Sequence, residues 1–314
     1  MLRDRKVIAL IPIVDISHVA VQGPITFTGP ALADLHDAGI DVTLHSSAAR
    51  LRGVIHSHDP KNVFLTLAQV AAWNDPARRL KFARVLLASK IAGQRQLVHR
   101  HARDHGSAAC EDATARLAVL ERKVLVEDDL DAARGIEGAA SSTYFGAFAD
   151  MVGPTWAFPG RVRRPPRGPV NALLSFGYTL ATAEVARHLL RASFDLRIGL
   201  VHGIRYGRES LALDLVEELR APLVDRFTLR LLRRGQLKRE DFIEREEDGA
   251  VRLTDEARRS YLAWWEEPLS SRAPLLRNDA WTTTAATSRV QPSGSNPGAI
   301  RSLTWTRRPG YRRN

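Results

Sequence analysis

Cysteine is nearly absent from this chain of 314 residues: Cys110 stands alone, which rules out an intrachain disulfide and any cysteine-rich zinc site. Nor does any apolar run approach the ~18 residues that a membrane helix needs, so a soluble chain without a membrane partner is expected. The opening MLRDRKVIALIPIVDIS has a basic start and a short apolar run. Asp15 and His18 break it, however, and no small-residue cleavage site follows, so it reads as a first strand and not as a signal peptide. No internal repeat is present. These absences together favour a reducing, cytoplasmic compartment.

What the chain has in excess is positive charge. Lys and Arg number 46 against 35 Asp and Glu, for a formal net charge of +11, and the isoelectric point lies near 10.4. Such a field attracts polyanions, with nucleic acid the leading partner. Arginine far outnumbers lysine, a bias that GC-rich coding also produces, so charge alone does not decide the partner.

The pattern of apolar residues divides the chain. From Val7 to about Ile55, short apolar segments alternate with Gly, Pro, Asp and Ser, as in a small sheet, and the first seventy residues read as mostly β. One helix interrupts them in GPALADLHDAGI, where Pro30 suits a first turn and Gly39 a stop. After NDPARR the period becomes helical: Phe82, Val85, Leu86, Ile91 and Leu97 recur among basic residues. Further helices are expected at about 111–130, 133–151, 170–192, 208–219, 222–234 and 254–266, with a β-turn-like FIEREEDGAVRLT before the last. The expected domains are 1–73 (β), a linker at 74–79 and a helical domain at 80–267. Residues 268–314 contain no Lys or Glu and little periodicity, and are read as an irregular, disordered Arg, Ser, Thr and Pro-rich tail.

Three side chains stand out in the helical part. Glu137 in GIEGAASSTYFGAF lies within ~20° of Tyr144 and Phe148 around a helix, so a carboxylate shares an apolar stripe. A buried carboxylate is costly unless paired or metal-bound, so something cationic is expected beside it. In SLALDLVEELR, Asp214 and Glu217 are three apart and project from one face. Surface helices carry such pairs routinely, and His202 in GLVHGIRYGR is by itself more often a hydrogen-bonded loop or core residue than a ligand. Taken together, oxygen donors with one imidazole suit Mg²⁺ or Mn²⁺ better than zinc, and such an ion supports phosphodiester chemistry. Between these segments Arg161, Arg163, Arg164 and Arg167 cluster in a proline-stiffened loop suited to phosphates. Asn171, Ser175 and Tyr178 form a polar stripe on an otherwise apolar helix, which must face something polar.

At these residues the sequence resembles the CRISPR-associated Cas-one family, the metal-dependent endonuclease and integrase of spacer acquisition. The resemblance covers roughly residues 5–266. It rests on NDPARRLKFARVLLASKIAGQRQ, GIEGAASSTYF, RRPPRGPVNALLSFGY, GLVHGIRYGRESLALDLVEELRAPLVDR and FIEREEDGAVRLTDEARRSYL in that order. It implies an α+β architecture in which a small N-terminal β-sandwich domain, used for homodimerisation, is followed by a larger all-α catalytic domain. It also implies a heterocomplex with the Cas-two protein and a substrate of double-stranded and branched DNA. Glu137, His202 and Glu217 match the family's metal ligands and catalytic set. Asp214 and Tyr144 match residues behind them; Asn171, Arg208 and the loop arginines match positions expected near DNA. The implied reaction is attack of a 3′-hydroxyl on a phosphodiester, inserting foreign DNA as new spacers in antiviral defence.

The tail departs from the family, whose members continue past the equivalent of Trp265 with helical sequence; a frameshift upstream of about Pro268 would account for it. The rival readings are a catalytically silent DNA-binding scaffold with an aberrant C-terminus, and a metal-dependent phosphohydrolase acting on small nucleotides.

Overall fold

The computed structural model of the chain describes residues 2–3, 6–7, 10–16, 18–23, 25–46, 50–57, 62–270, 286–289 and 302–307, with side chains described between residues 10 and 265. The chain is α+β and forms two compact units, one of residues 1–61 with 258–314 and one of residues 62–257.

In the first unit, β1 (Leu2–Arg3) and β2 (Lys6–Val7) form an antiparallel ladder of their own. Strand β3 (His18–Gln22) runs parallel to β4 (Asp41–His45), and the crossover is helix α1 (Gly29–Asp37). Thr28 caps α1 by accepting from the Ala31 amide, Pro30 sits in its first turn, and Gly39 leaves it at a positive φ of 71°. Strand β5 (Leu51–Ile55) pairs antiparallel with β4. Alternation in HVAVQ points Val19 and Val21 into a core with Ile16, Leu35, Ile40 and Val42. His18 is buried through a 2.8 Å hydrogen bond to Thr43 Oγ1. The sandwich expected from the resemblance would stack two sheets; the described strands form this mixed sheet and the β1–β2 pair.

The second unit begins earlier than the sequence boundary at 73. Helix α2 (Val63–Trp73) occupies the end of the stretch read as β. It lacks a polar face, so VFLTLAQVAAW shows no helical period to read. Asp75 then caps helix α3 (Pro76–His105) by accepting from the amides of Ala77 at 3.0 Å and Arg78 at 3.1 Å, and Pro76 fills its first position. The stretch 74–79 is therefore a cap and first turn, not a linker. Helices α4 (Ala108–Val126), α5 (Leu130–Val152), α6 (Pro169–Arg191) and α7 (Ser210–Leu219) follow.

Helix α7 does not stop as the sequence suggests but passes through one π turn, Arg220–Asp225, into α8 (Arg226–Arg233). Pro222 in that turn brings no N–H, which disfavours a regular α ladder there. Gly93 of α3 faces it so closely that a Cβ would lie 3.3 Å from Pro222 Cδ. The FIEREEDGAVRL segment is a hairpin of β6 (Phe242–Glu244) and β7 (Val251–Leu253), and α9 (Asp255–Ser270) follows.

Two strands lie within the stretch read as an irregular tail. Strand β8 (Ala286–Arg289) pairs with β9 (Ser302–Arg307), and β9 lies antiparallel to β3, completing the order β5-β4-β3-β9-β8. The sequence SLTWTR alternates apolar residues with threonine, a strand pattern too short to register beside so much Arg, Ser and Pro. Beyond these strands and the end of α9, the expected disordered tail lies outside the described residues.

Candidate functional site

Asp129 starts α5 by accepting from the Ala132 amide at 2.7 Å, and two turns later the helix presents Glu137 toward α3. Ser141, one turn on, donates to Glu137 Oε1 at 2.8 Å. Lys90 of α3 pairs with the same oxygen and lies 2.7 Å from Glu217 Oε2 of α7. One ammonium group, 6% exposed, thus bridges two carboxylates from two other helices. The cation that the Glu137 stripe required is this lysine.

Glu217 is buried, and its two oxygens are treated differently. Oε1 lies 2.8 Å from Arg220 Nη1. Oε2 has its charge contact with Lys90 but no donor aligned on it as a hydrogen bond. Burial pushes the Glu217 carboxyl up, but Arg220, Lys90 and His202 outweigh it and hold the group below the usual carboxylate range.

Asp214, one turn before Glu217, is fully buried and organises the preceding loop. Its Oδ2 accepts from the amides of Leu200 at 2.7 Å and Val201 at 3.0 Å. Its Oδ1 accepts from the His202 amide and from His202 Nδ1, both at 2.7 Å. The carbonyls of the same loop are held from the other side, Leu200 by Arg79 Nε at 3.3 Å and Val201 by Arg134. With Nδ1–H given to Asp214, the His202 imidazole keeps its Nε2 lone pair for another partner. Gly199 makes this tight turn possible, since a Cβ there would sit 2.6 Å from Ser210 Cβ and 2.9 Å from the His202 carbonyl oxygen.

Behind Glu217 lies a second buried acid. Asp225, placed by the π turn, accepts from Tyr144 Oη at 2.7 Å and Tyr178 Oη at 2.6 Å. Burial raises its pKa to about 6, and the two phenols and the charges of Arg220 and Arg161 only partly oppose this. The face of Tyr178 carries two guanidinium groups, Arg220 at 4.9 Å and Arg161 at 5.3 Å. Lys90, Gln94, Ser141, Arg161, Glu217 and Asp225 line one small pocket, and a wider trough beside it runs past Ser142, Phe145, Gly146 and Arg163.

The polar stripe of α6 faces Arg161. Its guanidinium donates to Asn171 Oδ1 and Ser175 Oγ, both at 3.0 Å, and lies over the Tyr178 ring. Asn171 is buried and saturated, since its amide also donates to the Gly160 and Arg167 carbonyls and its oxygen accepts from the Val162 amide. Asn171 and Arg161 thus shape the loop, and the half-buried Arg161 also lines both the pocket and the trough. Tyr144 is fully buried. Arg163, Arg164 and Arg167 are exposed, and Arg208 is half-buried just before α7.

The structure thus gathers Glu137 and Glu217 around Lys90 and seats His202 on Asp214. Among the described residues, the group of three His, Cys, Asp or Glu with ligand atoms within 4.8 Å of one another is instead His101, Cys110 and Asp150. There Arg233 Nη2 lies 2.5 Å from His101 Nδ1, and this fixed positive charge opposes a cation. Burial, then Arg233, lowers the His101 pKa. The Glu137 and Glu217 site suits a divalent ion better in its donors: two carboxylates converge on one point, one buried oxygen lacks an aligned donor, and the cation now between them is a flexible lysine.

Sequence reasoning missed Lys90, Arg220 and Asp225. Lys90 had a signal, because it follows Leu86 and Leu87 by four and three residues and so interrupts a buried helical face. Asp225 had none, because the π turn shifts the face on which it lands.

The chain is 39% identical over 284 residues to the CRISPR-associated endonuclease Cas1 2 of Rhodospirillum rubrum, covering 86% of this chain and 81% of that protein. Among solved structures, a CAS1 protein from Thermotoga maritima superposes with a TM-score of 0.71 at 23% identity, covering 84% of this chain and 83% of that one. A chain of a partial Cas6-RT-Cas1–Cas2 complex gives a TM-score of 0.68 at 26% identity, covering 90% of this chain and 85% of that one. Residues 1–267 match the family model described as CRISPR associated protein Cas1, and the chain belongs to that family.

Proposed function

We propose that this chain is a metal-dependent DNA endonuclease and integrase that inserts DNA fragments into a CRISPR array. The observation that carries this reading is the pair of carboxylates, Glu137 and Glu217, gathered from two helices around one positive charge beside an oriented imidazole. The Rhodospirillum rubrum relative is named an endonuclease, and the complex with Cas2 supports a Cas2 partner for this chain. We assign homodimerisation to the N-terminal unit, read as a β-sandwich. Among the described residues no helix is long and apolar enough to cross a membrane, and we place the protein in the cytoplasm.

In this reading Glu137, Glu217 and His202 Nε2 hold Mg²⁺ or Mn²⁺. When bound, the ion supplies Lewis acidity toward a phosphoryl oxygen and the attacking hydroxyl. The residues of the chain orient and hold. Asp214 fixes the imidazole tautomer, Ser141 fixes the Glu137 rotamer, Arg163 neutralises phosphates along the trough, and the exposed Arg164 and Arg167 of the same loop extend that positive field. The 3′-hydroxyl oxygen of the captured strand forms a bond to phosphorus as the original P–O bond breaks, so the count of phosphodiesters is conserved and the displaced strand leaves with a hydroxyl.

A labelled branched-DNA strand-transfer assay tests the reading. Product should require Mg²⁺ or Mn²⁺ and vanish in Glu137→Ala, His202→Ala and Glu217→Ala, while DNA retention stays close to that of the parent. Equal product from parent and Glu137→Ala protein overturns the site. Tight DNA binding without strand transfer by the parent protein points instead to a silent scaffold.

A further inference from the structure

We infer that Lys90 is a displaceable internal counter-ion: its ammonium holds Glu137 and Glu217 together before a divalent cation binds, and cation entry moves it toward Gln94. The inference rests on the reading of Glu137 and Glu217 as metal ligands and adds a competitor for them.

The argument begins with electrostatics. Two carboxylates converging in a largely buried space repel unless a positive charge lies between them. Lys90 supplies that charge, in contact with Glu137 Oε1 and 2.7 Å from Glu217 Oε2. The ammonium lies between these two oxygens, so a cation held by both carboxylates would compete with it. Lys90 suits such a role better than arginine, because its charge is compact and its four-carbon stem is flexible.

A second observation supplies an acceptor for the displaced ammonium. Gln94 lies one helical turn beyond Lys90 on α3 and lines the same pocket. Its Oε1 is buried without a hydrogen-bond partner, and such an orphaned acceptor is costly unless a donor can reach it. Asp225 lines the same pocket and adds a favourable field. A swing of the lysine stem toward Gln94 would therefore satisfy a buried acceptor while freeing both carboxylates. Ligand linkage then makes the lysine a determinant of metal affinity, since each cation weakens the binding of the other.

Mn²⁺ titration by isothermal calorimetry on the intact protein tests this, with far-UV circular dichroism to verify folding. Glu217→Gln separates the two readings. Unchanged Mn²⁺ affinity in that variant overturns the ligand assignment itself, whereas lost affinity upholds it and leaves Lys90 to be judged. Lys90→Met should then bind Mn²⁺ about tenfold more tightly than the parent, because its metal-free state loses the one charge shared by both carboxylates, leaving Glu217 only its pair with Arg220. It should also melt at a lower temperature in EDTA and recover most of the difference when saturated with Mn²⁺. Lys90→Gln, which keeps polar contacts without charge and guards against misfolding of the Met variant, should shift affinity in the same direction. Equal or weaker Mn²⁺ binding in folded Lys90→Met and Lys90→Gln overturns the inference, for it would make Lys90 a scaffold of the ligands and not their competitor.

Discussion

Asp214 and His202 are joined at two points: carboxylate oxygen Oδ1 accepts from the backbone amide and from ring Nδ1 of the histidine, each at 2.7 Å. The other oxygen holds the two preceding amides, so one buried side chain fixes both a loop and the imidazole it carries. Asp214→Ala would leave three amides without their acceptor, and we expect a loss of about 3–5 kcal/mol in urea unfolding. Asp214→Asn keeps the shape but offers one acceptor oxygen and an unwanted amide donor. It should fold, yet bind Mn²⁺ about 10–100-fold more weakly, as for other residues that orient ligand histidines. Parent-like Mn²⁺ affinity in folded Asp214→Asn would show that His202 orientation is unimportant to the site.

The next constraint is steric. A methyl group at Gly199 would meet Ser210 Cβ at 2.6 Å, the Ser210 carbonyl carbon at 2.7 Å and the His202 carbonyl oxygen at 2.9 Å. Two of these three neighbours are backbone atoms, which cannot yield without moving the loop or the start of α7. Gly199→Ala should therefore lower strand transfer by about 100-fold, the scale at which a misplacement near 1 Å acts. Gly135→Ala is the control, because no atom lies within 4 Å of the added carbon. It replaces a helical glycine and should raise stability by about 0.5–1 kcal/mol.

How far these relationships could be read in advance depends on whether they are local. The ends of α1 were legible because Pro30 and Gly39 act within a few residues of themselves, whereas Asp75 and Pro76, which start α3, fell in a stretch read as a linker. The polar stripe of α6 was legible as a stripe, but its partner was not. Arg161 approaches through a loop whose path no periodicity encodes, and the stripe holds that loop in place. Glu137 announced a missing cation, yet a spacing of 47 residues in sequence hid Lys90. The π turn defeated the helical count altogether: a face computed at 3.6 residues per turn no longer holds beyond Arg220, so Asp225 could not be assigned to the cluster.

Asp225 gives the chain a pH dependence with a definite sign. Its carboxyl titrates at about 6 in the fold against an ordinary value of 3.8. Below 3.8 the folded and unfolded chains are both protonated and the contribution to stability is complete. As pH rises from there to about 6, the unfolded chain has released the proton and the folded chain has not, so stability falls, by about 3 kcal/mol at most. Above that range both forms are ionised and this contribution is flat. Asp225→Asn cannot ionise, so the stability of the variant relative to the parent should rise between pH 4 and about 7 and then level off. Urea midpoints measured across that range test it, and a constant difference would mean that the buried acid does not titrate there.

The loop arginines divide into two kinds that one experiment separates. Arg163, Arg164 and Arg167 are exposed, whereas Arg161 is tied to Asn171, Ser175 and the Tyr178 ring. Each phosphate neutralised on duplex DNA contributes about 0.9 to the slope of log affinity against log salt. Replacing the three exposed arginines with alanine should therefore reduce that slope by about 2–3, with little change in melting temperature. Arg161→Ala should do the reverse: it removes three part-buried hydrogen bonds and a packed guanidinium, costing about 2–4 kcal/mol of stability, while leaving the salt slope nearly unchanged. Fluorescence anisotropy with a labelled duplex between 50 and about 200 mM salt gives the slopes. A fall in slope for Arg161→Ala equal to that of a single exposed arginine would place its guanidinium on the DNA after all.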